Sequence, residues 1–364
     1  MKRILKITGR ILLALFAMLL LFVLITFITH RVKTNRELTL LKEKGYCNPV
    51  LVGDYSLNVA KFGNERGSHT IVALAGLGMG DCAVSMRQMS ACLEENNLVV
   101  FVDRAGYGLS GDTNSEMTLE YIVEDYRRAL KNADIEAPYI LMSHSIGGAY
   151  ATYWCSRYPE EIEAVVFVDG TQISETVHEE DWEEYRSTWF DYVLAGLAKL
   201  GFGRYVLRDY FYHYPDNYSE DDQYLGDALS LMTIDSIATL SECSLMPENA
   251  QKAFDTIVTN DVPKLYICAS WGYQTTEDFI EYIQWMNRQR QINNLGAPVE
   301  NPGSEAVDNL LQQAESMRQE ILVPYIEKMG NCELVCLGGD HMIYEQKPIE
   351  CGKIIKDFID GLDG

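Results

Sequence analysis

Basic residues are scarce in this sequence, and their scarcity argues against one class of partner. The 364 residues include 30 Lys and Arg against 53 Asp and Glu, which gives a formal net charge of −23 at pH 7. Proteins that bind nucleic acid or an anionic membrane surface neutralise phosphates with clustered Lys and Arg. We therefore expect no nucleic-acid partner and no attachment to an anionic surface through charge.

The sequence also lacks the cysteine and histidine spacings of metal sites and disulfide frameworks. Its nine cysteines are scattered and odd in number, and no C-x-x-C pair occurs. Cys155, Cys268 and Cys336 fall within apolar segments, where a thiol packs as a small apolar side chain. We expect neither a zinc site nor a disulfide framework, and we expect no cofactor.

One long apolar run, residues 11–29, contains no charged residue. About 19 residues at about 1.5 Å each reach about 28 Å, enough to cross the hydrocarbon core of a bilayer. No small residues of the kind that precede a signal-peptide cleavage site follow the run. We expect residues 1–36 to form an uncleaved transmembrane anchor and its flank, with residues 31–44 as a short tether.

The orientation of this anchor depends on its flanking charges. Basic residues lie on both sides of the run, so the positive-inside rule is nearly balanced. The cluster that begins at Lys2 favours the N-terminus inside and the body outside. We expect a single-pass membrane protein whose folded body lies on the extracytoplasmic side.

From residue 37 onward, apolar strands alternate with amphipathic helices. The predicted strands, apolar along most of their length, are residues 70–75, 98–102, 139–142, 164–168, 262–269 and 333–337. Residues 118–131 place their apolar side chains on one helical face, with Thr118 as a plausible N-cap. Because apolar strands that alternate with helices form parallel sheets covered on both faces, the sequence predicts an α/β fold.

The alternation breaks in a segment that is helical, acidic and rich in aromatic residues, residues 171–261. The folded body therefore divides into a core built from residues 37–170 and 262–364, with a helical insertion between the two parts.

Residues 139–148 carry a candidate nucleophile. An apolar strand ends at Met142, and Ser145 lies on the turn before a helix that opens with Gly147 and Gly148. Such a turn strains the backbone of the serine and exposes its hydroxyl. The N-terminus of the helix directs free N–H groups at a developing oxyanion. The alternative is an ordinary strand-to-helix turn without a reactive role.

This turn resembles the G-x-S-x-G nucleophile elbow of the α/β-hydrolase superfamily, with Ser143 in place of the first glycine. Three further motifs follow the order of that fold: Ala-Gly-Leu-Gly at 75–78, Asp-Arg-Ala-Gly-Tyr-Gly-Leu-Ser at 103–110 and Gly-Gly-Asp-His at 338–341. The second is the most specific, since it matches the family's D-R-x-G-x-G-x-S turn. The resemblance covers residues 50–171 closely and 262–360 more loosely.

The resemblance implies a mostly parallel α/β-hydrolase sheet flanked by helices, with residues 171–261 as a helical lid between strands 6 and 7. It implies Ser145 as the nucleophile and His341, after the last strand, as the base. The N–H groups of Leu77 and Ile146 are the expected oxyanion-hole donors. His144, beside the nucleophile, is expected to have a structural role.

The acid that orients His341 is the least determined member of the site. Most of the superfamily carries it after the strand that ends near residue 269, where this chain has no carboxylate until Glu277 and Asp278, at the start of a predicted helix. Asp169 instead follows the preceding strand, on the edge where this fold builds its site. We predict Asp169 as the acid, with Glu277 or Asp278 as the alternative.

Together these expectations describe a membrane-anchored serine hydrolase of the esterase and lipase type, which cleaves a carboxylic ester or related acyl compound through an acyl-enzyme. Serine at the elbow argues against dehalogenase or epoxide-hydrolase chemistry, whose covalent intermediate needs a carboxylate nucleophile. Acyl transfer, cofactor-free peroxidation and a catalytically silent binding protein of the same fold remain open.

The substrate is expected to be a small acyl compound, uncharged or hydrophobic, because aromatic and aliphatic side chains of the lid would line an apolar pocket. The alternative is that these side chains pack only the small core of the lid itself.

Overall fold

The computed structural model describes residues 2–175, 185–206, 214–234, 236–293 and 295–363. Residues 176–184 and 207–213 of the predicted lid therefore lie outside the described residues.

The strands of the described residues form one sheet, and helices precede, connect and follow them. The strands are β1 (Pro49–Leu51), β2 (Ser56–Gly63), β3 (Thr70–Leu74), β4 (Leu98–Asp103), β5 (Tyr139–Ser145), β6 (Ile162–Gly170), β7 (Lys264–Cys268) and β8 (Cys332–Cys336). The helices are α1 (Lys2–Glu43), α2 (Cys82–Ser85), α3 (Arg87–Ser90), α4 (Leu119–Asn132), α5 (Gly147–Arg157), α6 (Trp189–Lys199), α7 (Gly203–Val206), α8 (Glu220–Thr233), α9 (Ile237–Ser244), α10 (Met246–Asp255), α11 (Thr276–Ile292), α12 (Ser304–Met317), α13 (Val323–Met329), α14 (Ile343–Gln346) and α15 (Pro348–Asp360), with a π-helical turn at Arg318–Leu322.

The sheet has eight strands in the order β1-β2-β4-β3-β5-β6-β7-β8. The pairs β1–β2 and β2–β4 are antiparallel, and every other pair is parallel. This confirms the predicted mostly parallel α/β sheet flanked by helices. Because β5 and β6 lie inside the sheet, the residues at their carboxyl ends are held by neighbouring strands on both sides.

Side chains that alternate along the strands form two separate apolar cores, one on each face of the sheet. In β3, Val72 and Leu74 belong to one core, and Ile71 and Ala73 belong to the other. Helix α4 covers the first face and begins after Thr118, whose hydroxyl accepts a hydrogen bond from Tyr121 N–H at 3.3 Å. Burial on both faces explains why these strands are apolar along most of their length.

Helix α1 continues without a break to Glu43, so the segment expected to be a short tether is helical. Tertiary contacts hold its C-terminal part, since Leu41 is buried in a core and Glu37 forms an ion pair with Arg204. Within the described part of the chain, α1 is the one helix that is long and apolar enough to cross a membrane. A signal sequence would meet the same criterion.

Five described helices, α6 to α10, come between β6 and β7 in the chain. Helix α9 is attached to the loop that follows β4, because Asp112 accepts hydrogen bonds from the N–H groups of Ile237 and Ala238, each at 2.9 Å. Helix α10 adds Ala250 and Phe254 to the core beneath it. This insertion is therefore packed onto the sheet domain through both polar and apolar contacts.

Candidate active site

Ser145 ends β5 at a sharp turn into α5, with its backbone in the left-handed region at φ 52°. The turn brings helix and strand very close, because a Cβ on Gly147 would lie 2.3 Å from the carbonyl oxygen of Leu74. A larger residue than glycine is therefore excluded at position 147. Ser143 tolerates its side chain, since its hydroxyl donates to Val166 O at 3.2 Å within the sheet.

The loop after β8 carries His341 to the carboxyl end of β6, where it meets Asp169. His341 Nδ1 and Asp169 Oδ2 lie 2.8 Å apart. Because a carboxylate only accepts, Nδ1 carries the proton in this contact, and Nε2 is left as an acceptor. The imidazole therefore has the tautomer that a general base at a serine requires.

Asp169 is held more firmly than any other residue of the site. It is fully buried and has a left-handed backbone, at φ 45°. Apart from His341, its carboxylate accepts hydrogen bonds from Ala269 N–H at 2.7 Å, Ser270 N–H at 3.1 Å and the Ser270 hydroxyl at 2.5 Å. Donors from the end of β7 thus fix the carboxylate toward His341.

The two alternative acids lie elsewhere. Asp278 caps helix α11, where its Oδ2 accepts from Gln274 N–H at 2.9 Å and Thr275 N–H at 3.0 Å. Glu277 is exposed in the first turn of the same helix. The structure therefore brings Asp169, and neither of these two carboxylates, to His341.

The electrostatics of His341 suit a base. Burial opposes its charged form, but the hydrogen bond and negative charge of Asp169, with a further contribution from Asp340, raise the pKa of His341 above its usual range. An imidazole whose pKa is raised accepts a proton more readily, and the imidazolium it becomes is stabilised.

His144 packs against the ring of His341. Its Nδ1–H donates to Val168 O at 2.9 Å, and its ring lies 4.6 Å from the ring of His341 and 4.9 Å from that of Tyr344, measured between centroids. Burial, together with the neighbouring His341, lowers the pKa of His144 to about 3. A permanently neutral ring packed against His341 fits the structural role expected from the sequence.

The backbone N–H groups of Leu77 and Ile146 are among those near Ser145 that have no acceptor in the described residues. In the loop that follows β3, the neighbouring N–H groups do have acceptors. Gly76 N–H donates to Met79 Sδ and Gly78 N–H donates to Tyr107 Oη, both at 3.2 Å. Unpaired backbone donors beside a nucleophile are what an oxyanion hole requires.

The loop that carries Leu77 lies directly on the nucleophile. A Cβ on Gly76 would be 3.1 Å from Ser145 Cβ and 3.1 Å from the ring of His144. The glycine of the Ala-Gly-Leu-Gly motif is therefore needed for the close approach of the two loops.

Sequence reasoning missed a buried residue that holds this loop, Arg104. Its guanidinium donates to Ala75 O at 2.6 Å and to Gly76 O at 2.8 Å, and it forms an ion pair with Glu242 of helix α9 at 3.0 Å. Glu242 also accepts from the Tyr150 hydroxyl at 2.5 Å. The D-R-x-G-x-G-x-S motif contains the arginine, but its carboxylate partner is 138 residues away in the chain.

Among the described residues, no group of three or more His, Cys, Asp or Glu side chains could hold a metal ion.

Comparisons with known proteins agree with this fold. A sequence profile of the α/β-hydrolase fold matches residues 71–219. The chain is 36% identical over 169 residues to the uncharacterized protein YbdG of Bacillus subtilis, an alignment that covers 46% of this chain and 51% of YbdG. It is 39% identical over 106 residues to the putative chloroplastic methylesterase 14 of Arabidopsis thaliana, covering 29% of this chain and 30% of that protein. The matches thus span about half or less of the length of these curated relatives.

Solved structures extend the likeness to most of the chain. Haloalkane dehalogenase DbeA of Bradyrhizobium elkani superposes with a TM-score of 0.56 at 14% identity, covering 87% of this chain and 98% of DbeA. A putative lipase of Acinetobacter baumannii superposes with a TM-score of 0.55 at 16% identity, covering 92% of this chain and 96% of the lipase. At such identities the likeness establishes the fold and leaves the substrate undetermined. The chain has the α/β-hydrolase fold, with a long apolar helix in front of it.

Proposed function

We propose that this protein is a membrane-anchored serine hydrolase that cleaves carboxylic esters or related acyl compounds through a triad of Ser145, His341 and Asp169. One observation carries the proposal: the Asp169–His341 hydrogen bond lies beside the turn that holds Ser145 in a strained, left-handed conformation. Serine, histidine and an acid in this chain order are typical of the superfamily.

The reaction follows from the roles of these groups. His341 Nε2 takes the proton of the Ser145 hydroxyl as the serine oxygen attacks the carbonyl carbon. The resulting oxyanion accepts hydrogen bonds from the N–H groups of Leu77 and Ile146. His341 then returns its proton to the leaving alcohol, and a water molecule releases the acyl group by the same steps.

The structural similarity to a haloalkane dehalogenase does not imply dehalogenase chemistry. Residue 145, at the nucleophile position, is serine, and the covalent intermediate of a dehalogenase needs a carboxylate there. An esterase is supported instead by two similar proteins, a putative methylesterase and a putative lipase.

Two parts of the proposal concern the surroundings of the triad. Helix α1 is the anchor, with the folded body on the extracytoplasmic side. The described helices of the insertion at residues 171–261, α6 to α10, form a lid above Ser145, and its apolar side chains select an uncharged or hydrophobic acyl group.

The test uses the full-length protein in detergent micelles and p-nitrophenyl esters of increasing chain length. Ser145→Ala should abolish turnover, because alanine fits the turn but provides no nucleophile. The matched control is Ser143→Ala, two residues earlier in the same strand, which removes one hydrogen bond and should retain activity. Turnover by Ser145→Ala within a few-fold of the wild type would refute the serine-hydrolase proposal.

Acyl transfer is the second candidate, because one relative that is 25% identical over 153 residues is named 1-acylglycerol-3-phosphate O-acyltransferase. The two reactions differ in whether water or an alcohol reaches the acyl-enzyme. Adding a glycerol-based acceptor alcohol to the ester assay separates them, since a transferase forms the new ester faster than the free acid.

A further inference from the structure

Helix α6 presents a large apolar face that the described part of the protein leaves uncovered. The large side chains on this face are Trp189, Phe190, Val193, Leu194 and Leu197, and each is at least 36% exposed. Trp189 is 77% exposed. At about 100° per residue these positions cover about 140° of the helix surface, so they form one continuous stripe. Soluble surfaces rarely carry contiguous apolar patches of this kind without a partner.

The opposite side of α6 faces the protein. Ala195 and Ala198 are buried there. Just before the helix, Ser187 is tied to α9 by a hydrogen bond from its hydroxyl to Leu240 O at 2.8 Å. The apolar stripe therefore points outward from a helix that is fixed in place.

The segment after α6 is packed against the apolar run of α1. The rings of Phe202 and Phe22 lie 5.8 Å apart in an edge-to-face contact. Gly201 has a left-handed backbone at φ 88°, and a Cβ there would lie 2.8 Å from Thr26 O and 2.6 Å from His30 Cβ. Only glycine permits so close an approach.

Polar contacts continue along the same face of α1. Arg204 donates to Glu37 Oε1 at 2.7 Å and to Thr34 Oγ1 at 2.9 Å, and the side chains of the Arg204–Glu37 pair are almost fully buried. The contact positions on α1, which recur every three or four residues along one face, are Phe22, Thr26, His30, Thr34 and Glu37. Apolar and polar contacts thus hold the segment after α6 against α1.

These contacts set the depth of α6 relative to the bilayer. Phe22 lies seven residues inside the end of the apolar run at Thr29, which corresponds to about 10 Å along the helix axis. The ring of Phe202 therefore reaches toward the middle of the apolar run, whereas Gly201 lies against Thr26 and His30, on either side of the end of the run. The backbone that follows α6 is thus at the boundary of the hydrocarbon core. Interfacial helices bury their apolar face to about 5–10 Å at this boundary, with aromatic side chains such as Trp at the headgroup level.

We propose that α6 lies in the membrane interface with its apolar stripe inserted among the lipids, so that the lid of this hydrolase is a membrane-bound element. The inference rests on the proposed anchor, because α1 must span the bilayer for the depth of Phe22 to have meaning. The attraction is apolar: Asp191 and Lys199 lie off the stripe, and a chain with a net charge of −23 gains nothing from anionic lipids. An ester substrate dissolved in the bilayer would meet the lid without first entering water.

The experiment reconstitutes the full-length protein in phosphatidylcholine vesicles whose acyl chains carry bromine near the headgroup, and in matched vesicles without bromine. Bromine quenches tryptophan fluorescence only at short range. Wild-type fluorescence should be quenched, and Trp189→Phe should lose roughly half or more of that quenching, since Trp189 is the most exposed tryptophan of the described residues. The matched control, Trp285→Phe, removes a tryptophan that stacks on Tyr282 in α11 and should leave the quenching unchanged.

A second variant keeps the test decisive if the first change perturbs the helix. Val193→Trp in the Trp189→Phe background returns an indole to the stripe one turn later, and the quenching should return with it. Equal quenching of the wild type and Trp189→Phe, or no recovery with Val193→Trp, would overturn the inference while leaving the anchor intact. Self-association of the protein with an unquenched Trp189 would also overturn it and assign the stripe to a second copy of the chain.

Flotation of the same vesicles separates this inference from the proposed function. Protein that does not float with the vesicles refutes the anchor and the inference together. Absence of esterase activity in floating, quenched protein refutes only the proposed chemistry.

Discussion

Two residues of the candidate site, Ser145 and Asp169, have left-handed backbones, which are uncommon outside glycine. Ser145 is the last residue of β5 and Asp169 is the last but one of β6. The ends of the two strands are joined, since Thr171 N–H donates to Ser145 O at 2.8 Å. Strained conformations of this kind persist when the surrounding structure over-determines them, and they cluster at functional sites. The proposed nucleophile and the proposed acid are therefore positioned by the same pair of strands.

The first prediction concerns Asp169→Asn. An amide at this position cannot stabilise the imidazolium and favours the wrong tautomer of His341, so kcat should fall by about 10³-fold or more. Glu277→Gln and Asp278→Asn are the matched controls and should change kcat less than about threefold, because neither side chain contacts the base. Steady-state kinetics on a p-nitrophenyl ester measures kcat of the three variants. A larger loss in Glu277→Gln or Asp278→Asn than in Asp169→Asn would assign the acid to the segment after β7 instead.

The second prediction concerns pH. His341 must be neutral to accept the serine proton, and Asp169 raises its pKa above the ordinary value of 6.5. As the pH falls through this raised pKa, His341 becomes protonated and can no longer accept the serine proton. The fall of kcat/KM on the acid side should therefore have its midpoint above pH 6.5. In Asp169→Asn the residual activity should show this limb at lower pH. A wild-type midpoint well below 6.5 would contradict the role of the pair.

The sequence was enough to name the candidate residues of the site, but not the residues that hold them in place. The strand pattern and short motifs identify Ser145 and His341, and a carboxylate at the end of a strand identifies Asp169 as a candidate. Ser270 could not be predicted to hold Asp169, because serine is common and the contact exists only when β6 and β7 are neighbours.

At the scale of elements, the main feature is the ion pair between Arg104 and Glu242, which links the loop after β3 to helix α9. Both side chains are almost completely buried, and Arg104 also holds the carbonyl groups of Ala75 and Gly76. A buried ion pair contributes little net stability, but removing one partner leaves an uncompensated charge. The insertion and the loop beside the nucleophile should therefore be coupled.

The third prediction tests this coupling. Glu242→Gln should reduce the free energy of unfolding by about 3 kcal/mol or more and should lower kcat, because Arg104 loses its counter-charge and the loop its support. The matched control is Glu248→Gln on the neighbouring helix α10, which breaks the exposed pair with Arg186 and should cost less than about 1 kcal/mol. Thermal unfolding and kcat, measured together, check both parts. Equal effects of the two substitutions would show that the buried pair has no special role.

Local patterns predicted most elements but not their extent or partners. Periodicity predicts α4 and its cap at Thr118 because these are local signals. The continuation of α1 to Glu43 was not predicted, since the helix is held there by Arg204, far away in the sequence. Distant pairs of this kind appear only when the fold is known.

At the scale of the whole molecule, a strongly acidic body is joined to an apolar helix. The charge of −23 makes electrostatic attachment to a membrane unfavourable, so any membrane association must come from apolar surface. Helix α1 has this surface, and its contacts with the insertion between β6 and β7 connect it to the hydrolase fold.

The fourth prediction concerns the attachment of the full-length protein to the membrane. Full-length protein should be in the membrane fraction, should stay there in high salt and at alkaline pH, and should be released by detergent, because the attachment is apolar. Fractionation with immunodetection gives the result. Recovery of uncleaved, full-length protein in the soluble fraction without detergent would contradict the anchor.

The fifth prediction concerns the substrate. An apolar pocket beneath the lid should favour neutral acyl chains, and a negatively charged body should repel anionic ones. The value of kcat/KM should therefore be higher for a neutral ester than for its analogue with a charged acyl group. Preference for the charged member of a matched pair would argue against the pocket.

The central claim is that Ser145 is the nucleophile of a serine hydrolase, and covalent labelling tests it most directly. A fluorophosphonate probe reacts with a serine only when a neighbouring base activates it. After incubation of the full-length protein, peptide mass spectrometry should find the phosphonate adduct on Ser145, and the adduct should be lost in His341→Ala while the fold persists. Labelling at another residue, or none at Ser145 in folded protein, would contradict the account.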